Sequence, residues 1–99
     1  MTAKPDLNKQ KIELTVAGKD LKFDVTRDDY NRYINAITPN NKVSPSHNFC
    51  IATVDDSSKE QLKDIFASTP GSEVQIAGAI IEEYMPDLEI TAKKRSSTP

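Results

Sequence analysis

At 99 residues the chain has room for one domain, and a body of this size builds a single modest core. Hydrophobic residues make up 36%, below the ~45–50% usual for globular domains; no apolar run approaches the ~18 residues of a membrane helix, and the opening MTAKPDLNKQK lacks the apolar stretch of a secretory signal, so no membrane partner is expected. Thirteen basic against fifteen acidic side chains give −2, a poor balance for gripping phosphate backbones, so nucleic acid is not an expected partner.

Residues 1–10 contain Pro5 and no periodicity, and read as a flexible N-terminal arm. A single α+β domain is expected over 11–92, with 93–99 as a disordered basic tail. From Ile12 the pattern alternates strictly. Ile12, Leu14 and Val16, then Leu21, Phe23 and Val25, each fall on one face of a strand. A two-residue loop at Gly18-Lys19, with glycine leading a type II′ turn, sets Val16 opposite Leu21, Leu14 opposite Phe23 and Ile12 opposite Val25. A lone hairpin is marginal in water, so helices must cover its apolar face.

Thr26 can cap the first of them, with Asp29 in the place of the capping-box acid. Tyr30, Tyr33, Ile34 and Ile37 follow at i, i+3, i+4 and i+7, and Thr38-Pro39 stops the helix. Residues 38–46 read as a connector, after which Ser46 can cap a second helix through Phe49, Cys50, Ile51, Ala52 and Val54. Whether 47–54 stands alone or forms the bent start of the next helix is open at this level. Ser57-Ser58-Lys59-Glu60 has the form of a capping box ahead of Leu62, Ile65 and Phe66. Thr69 as cap with Pro70 at the first helical position then starts a last helix. Its inward stripe is Val74, Ala77, Ile80, Ile81 and Tyr84, and Met85-Pro86 closes it. Leu88 and Ile90 alternate with Glu89 and Thr91, the pattern of a short strand able to join the hairpin edge. The fold class is therefore α+β, an N-terminal antiparallel hairpin packed against three or four short helices, and whether residues 88–92 add a short C-terminal strand is open at this level.

Chemistry has few footholds. His47 and Cys50, three apart, would share a helical face, but zinc needs three or four ligands and the chain has no other His or Cys. A cysteine nucleophile needs an oriented base, which nothing upstream offers, and a packed Cys50 is the plainer reading. Asp55, Asp56 and Glu60, and the pair Glu82 and Glu83, lack the spaced oxygens and central glycine of a calcium loop; acids ahead of a helix favour its start without further purpose. Glycines 18, 71 and 78 are too scattered to cradle a phosphate. No catalytic residue, metal or cofactor is assigned. The single cysteine precludes an internal disulfide and fits the cytoplasm.

Two features remain. Residues 55–92 hold two lysines and nine acids, a net of −7, while the last seven residues carry +3; the acidic stretch is either a solvated surface or a face turned to a basic partner. Ile76, Ala79 and Met85 widen the apolar surface of the last helix beyond its inward stripe. That helix is either the centre of the core or a surface for self-association or a partner. Ile76, Ile80, Tyr84 and Met85 are the candidate partner-binding residues.

The runs KFDVTRDDYNRYINAITPNNKVSPSHNF, SSKEQLKDIF and VQIAGAIIEEYMPDLEITAKK resemble a family of small phage tail-assembly chaperones, from about Ile12 to Lys94. The most specific parts are Asp29-Tyr30-Asn31, the connector Thr38 to Val43, His47-Asn48-Phe49, and Glu82-Glu83-Tyr84 leading into Pro86-Asp87-Leu88. The resemblance implies a non-enzymatic protein of the host cytoplasm that binds the tape-measure protein before the tail tube forms around it. It also implies a frameshifted longer form and dealings with the tail tube protein; Lys93-Lys94 is compatible with a slippery codon pair. No residue-level binding motif carries over. The alternative from another class is a small phage-encoded regulatory or nucleic-acid-associated protein acting through the basic tail, whose binding would be steeply salt-dependent.

Overall fold

The computed structural model describes residues 9–85 and 90–92. Strands β1 (Lys9–Val16) and β2 (Lys19–Thr26) form an antiparallel hairpin, followed by α1 (Arg27–Ala36), α2 (Val43–Thr53), a 3-10 turn (Asp56–Ser58), α3 (Lys59–Ser68) and α4 (Ser72–Tyr84). The architecture is α+β, as the alternation and the helical stripes predict. Strand β1 starts at Lys9, so Lys9 and Gln10 belong to the sheet and not to the expected arm.

The hairpin register differs from the predicted one. Val16 pairs with Lys19, Leu14 with Leu21, Ile12 with Phe23 and Gln10 with Val25. The loop is Ala17-Gly18, with φ of 52° and 81°. Positive φ at both central residues is the type I′ condition, which matches the right-handed twist of the strands. Glycine thus sits second in the turn. The pairing moves by two residues, an even number, so the apolar side chains keep their shared face.

Helix α1 begins as the sequence indicates. The Asp29 amide donates to Thr26 Oγ1 at 3.1 Å and the Thr26 amide to Asp29 Oδ2 at 3.4 Å, a reciprocal box. Ile37 leaves the helix in extended conformation, and Thr38 and Asn41 exchange two backbone hydrogen bonds at 3.1 Å around Pro39-Asn40.

The other three helix starts move. Helix α2 begins at Val43, three residues before the predicted cap, with Pro45 tolerated in its first turn. Ser46 lies inside the helix, buried, within 3.1 Å of the Tyr33 hydroxyl. Helices α2 and α3 are separate: Val54 leaves α2 in extended conformation and bridges Phe23. Asp55 caps the 3-10 turn by accepting the Ser57 amide at 3.0 Å, which takes the place of the predicted Ser57–Glu60 box. Gly71, at φ 81°, precedes α4, so Thr69-Pro70 forms a turn outside the helix, closed by the Ser72 amide on the Thr69 carbonyl at 3.2 Å.

Leu21, Phe23 and Val25 meet Tyr33, Phe49, Cys50, Leu62, Ile65, Ile76, Ala77 and Ile80 in one core between sheet and helices. The Tyr33 and Phe49 rings stack at 4.7 Å. Helix α2 packs against both α1 and α4. The predicted C-terminal strand falls partly outside the described residues; Ile90–Ala92 carry no strand, and Ile90 is 85% exposed. The tail, 93–99, also lies outside them.

Candidate partner-binding surface

The four residues singled out on the last helix separate into two pairs. Ile76 (4% exposed) and Ile80 (fully buried) belong to the core. They sit on the side of α4 pressed against the sheet and α2, and neither offers surface to another chain. Tyr84 is half-buried and Met85 is 46% exposed. Met85 is the first residue past α4, and its amide still donates to the Ile81 carbonyl at 2.9 Å.

Tyr84 and Met85 meet two residues of α1. The Tyr30 ring lies 5.4 Å from the Tyr84 ring, tilted by 32°, and the Tyr30 hydroxyl donates to Met85 Sδ at 3.3 Å. Ile34, one turn further along the same side of α1, is 45% exposed. The start of β1 pins this corner: Gln10 Nε2 donates to the Glu83 carbonyl at 3.2 Å. Two helices, distant in sequence, thus present Tyr30, Ile34, Tyr84 and Met85 as one apolar corner, with Glu82 and Glu83 solvated beside it.

Sequence reasoning placed Tyr30 and Ile34 on the inward stripe of α1. The stripe is wider than one neighbour can bury. Tyr33 points at α2, and Ile34, 100° further round the helix, lies beyond its reach. The signal that finds these residues is that excess width, the argument applied to α4 alone.

The reactive groups are occupied. Cys50 is fully buried, with Sγ 3.9 Å from the Glu73 carbonyl oxygen. Burial, aided by the Glu73 charge, pushes its thiol up to about 12. His47 is exposed and its ring lies 5.2 Å from that of Phe66, tilted by 44°, at the mouth of a shallow apolar groove with Ile51. Hydrogen bonds from the hydroxyl and amide of Ser57 hold the Asp55 carboxyl below its ordinary range. Asp56 faces Lys59 at 4.0 Å. Among the described residues no three His, Cys, Asp or Glu side chains are grouped to hold a metal, and no helix is long and apolar enough to cross a membrane.

Comparison with known proteins yields a relative and a family. An uncharacterized 11.3 kDa protein in the lys 3′ region of Haemophilus phage HP1 (strain HP1c1) is 34% identical over 85 residues, covering 86% of this chain and 82% of that protein. No solved structure matches the chain. The family model described as phage tail assembly chaperone matches residues 12–94, from the middle of β1 to beyond α4. With that match spanning nearly all of the fold, the chain belongs to the phage tail assembly chaperone family.

Proposed function

We propose that this chaperone binds the tape-measure protein in the host cytoplasm and keeps its apolar helical segments soluble until the tail is built. The observation that carries this reading is the apolar corner of Tyr30, Ile34, Tyr84 and Met85 on a mildly acidic molecule. An amphipathic helix laid across it would bury its own apolar stripe against two aromatic rings and a thioether. The acids at Glu82 and Glu83 stay in water and keep the complex dispersed. Function is then binding and release, with no bond made or broken.

Co-expression with tape-measure fragments tests it. Ile34→Asp and Met85→Asp replace half-exposed side chains, so the fold should survive, as circular dichroism would check. Together they should weaken co-purification at least about tenfold, as loss of central apolar anchors does. Ile76→Asp and Ile80→Asp would instead unfold the domain and say nothing about binding. Undiminished capture by the doubly substituted protein would place the contact elsewhere. Failure of the unaltered protein to capture any tape-measure fragment would remove this partner.

A further inference from the structure

The two edges of the hairpin are treated differently. In a two-residue loop the residues flanking the turn, Val16 and Lys19, exchange hydrogen bonds, and such pairs recur at every second position. On β2, therefore, Asp20, Lys22 and Asp24 direct their backbone groups away from β1. The structure closes that side: the Asp55 amide donates to the Lys22 carbonyl at 2.8 Å, the Lys22 amide donates to Ser58 Oγ at 3.0 Å, and Val54 bridges Phe23. On β1 the outward groups belong to Lys9, Lys11, Glu13 and Thr15. Among the described residues no backbone hydrogen bond leaves that edge. Among the described residues, then, this eight-residue strand has one open side, a template for another strand.

We propose that the open edge of β1 pairs antiparallel with β1 of a second copy of this chain, making a four-stranded sheet about a two-fold axis at Ile12. Charge selects both the occupant and the register. Centring the pair on Lys11 sets lysine against lysine, and centring it on Glu13 sets glutamate against glutamate. Centring it on Ile12 sets Lys11 of each copy opposite Glu13 of the other, and Lys9 opposite Thr15. In that register odd residues face odd residues, so the amides and carbonyls that point outward meet across the seam, and backbone and side-chain requirements coincide. On the core face Ile12 meets its own copy. Leu14, half-buried in the monomer, gains cover from Gln10 and Ile12 across the seam. Lysines on an edge ordinarily deter pairing; here Glu13, two residues away, offsets Lys11 because the contact is isologous.

The test is sedimentation of the full chain over a concentration series, with amide exchange at β1. The unaltered protein should dimerise, with the Lys9, Lys11, Glu13 and Thr15 amides protected in the dimer. Lys11→Glu should weaken the dimer about tenfold or more, since two symmetry-related pairs turn from attractive to repulsive. The double exchange Lys11→Glu with Glu13→Lys should restore it. Within one hairpin that double exchange is worse than the single one, because Lys11 already faces Asp24 at 3.4 Å and Lys22 faces Glu13 at 3.9 Å. Rescue therefore belongs to the dimer alone. A monomer at every concentration, whether those amides exchange freely or are covered by the chain's own C-terminal segment, or a dimer indifferent to Lys11→Glu, would overturn the proposal.

Discussion

Cys50 sits where α2 meets α4, with its S–H directed at the Glu73 carbonyl. Its thiolate would be an unpaired charge in an apolar site, so the thiol stays protonated in the folded chain while an unfolded chain ionises near pH 9. The folded state then holds the extra proton between pH 9 and about 12. The stability this contributes is whole below pH 9 and is lost as pH rises through that window, by at most about 1.4 kcal/mol per pH unit. Denaturant midpoints measured across alkaline pH should fall more steeply for the native chain than for Cys50→Ala. The residue's burial was legible, because a lone cysteine in an apolar helical stretch is ordinarily packed. Its helical partner was not: nothing in the order of residues tells which carbonyl lies 3.9 Å from a sulfur. The Ser46–Tyr33 hydroxyl pair was hidden for the same reason, and it explains why a serine that looks like a cap is spent inside the helix.

At the scale of elements, the hairpin turn is the cheapest place to gain stability. Ala17 holds a φ of 52°, a left-handed conformation that costs an L-residue with a Cβ about 1–2 kcal/mol and that asparagine adopts more readily. Ala17→Asn, giving the Asn-Gly pair favoured by type I′ turns, should stabilise the domain by about 0.5–1 kcal/mol. Thermal melts would show this as a midpoint raised by roughly 2–8 °C. Alternation made both strands and their shared face readable, since a two-residue shift leaves the faces unchanged. The register was not, because Gly18 suits a turn as its first or its second central residue, and both turn types match the strand twist. Helix starts moved for a similar reason. Ser, Thr and Pro near α2, α3 and α4 all qualify as capping residues, but the chain's path between elements determines which one lies at the end. Only at Thr26-Asp29, where strand passes straight into helix, did the local signal leave no choice.

Across the whole molecule, Phe23 ties the layers together. It pairs with Ile12, bridges Val54 and is buried against the helices. Phe23→Ala should cost about 3–5 kcal/mol, a large share of the 5–15 kcal/mol that holds a small domain folded. Strand and helix probes, amide exchange in β1 and circular dichroism at helical wavelengths, should lose structure at one common, lowered midpoint. Separate midpoints would mean that the hairpin and helices fold independently. The apolar corner belongs to this scale too, and was only half visible beforehand. A helical wheel gives the angular width of an apolar sector, but the other elements decide which part they cover. On α4 they cover Ile76 and Ile80 and leave Met85; on α1 they cover Tyr33 and leave Ile34.

The Gln10–Glu83 hydrogen bond has a topological consequence. It joins the beginning of the first strand to the end of the last helix, so the described residues form a nearly closed ring. The groove of His47 and Phe66, by Glu73 at the opposite end of α4, lies roughly 16 Å away along the helix axis. Gln10→Ala, which opens that ring, would therefore loosen the meeting of Tyr30 with Met85 and leave the groove untouched.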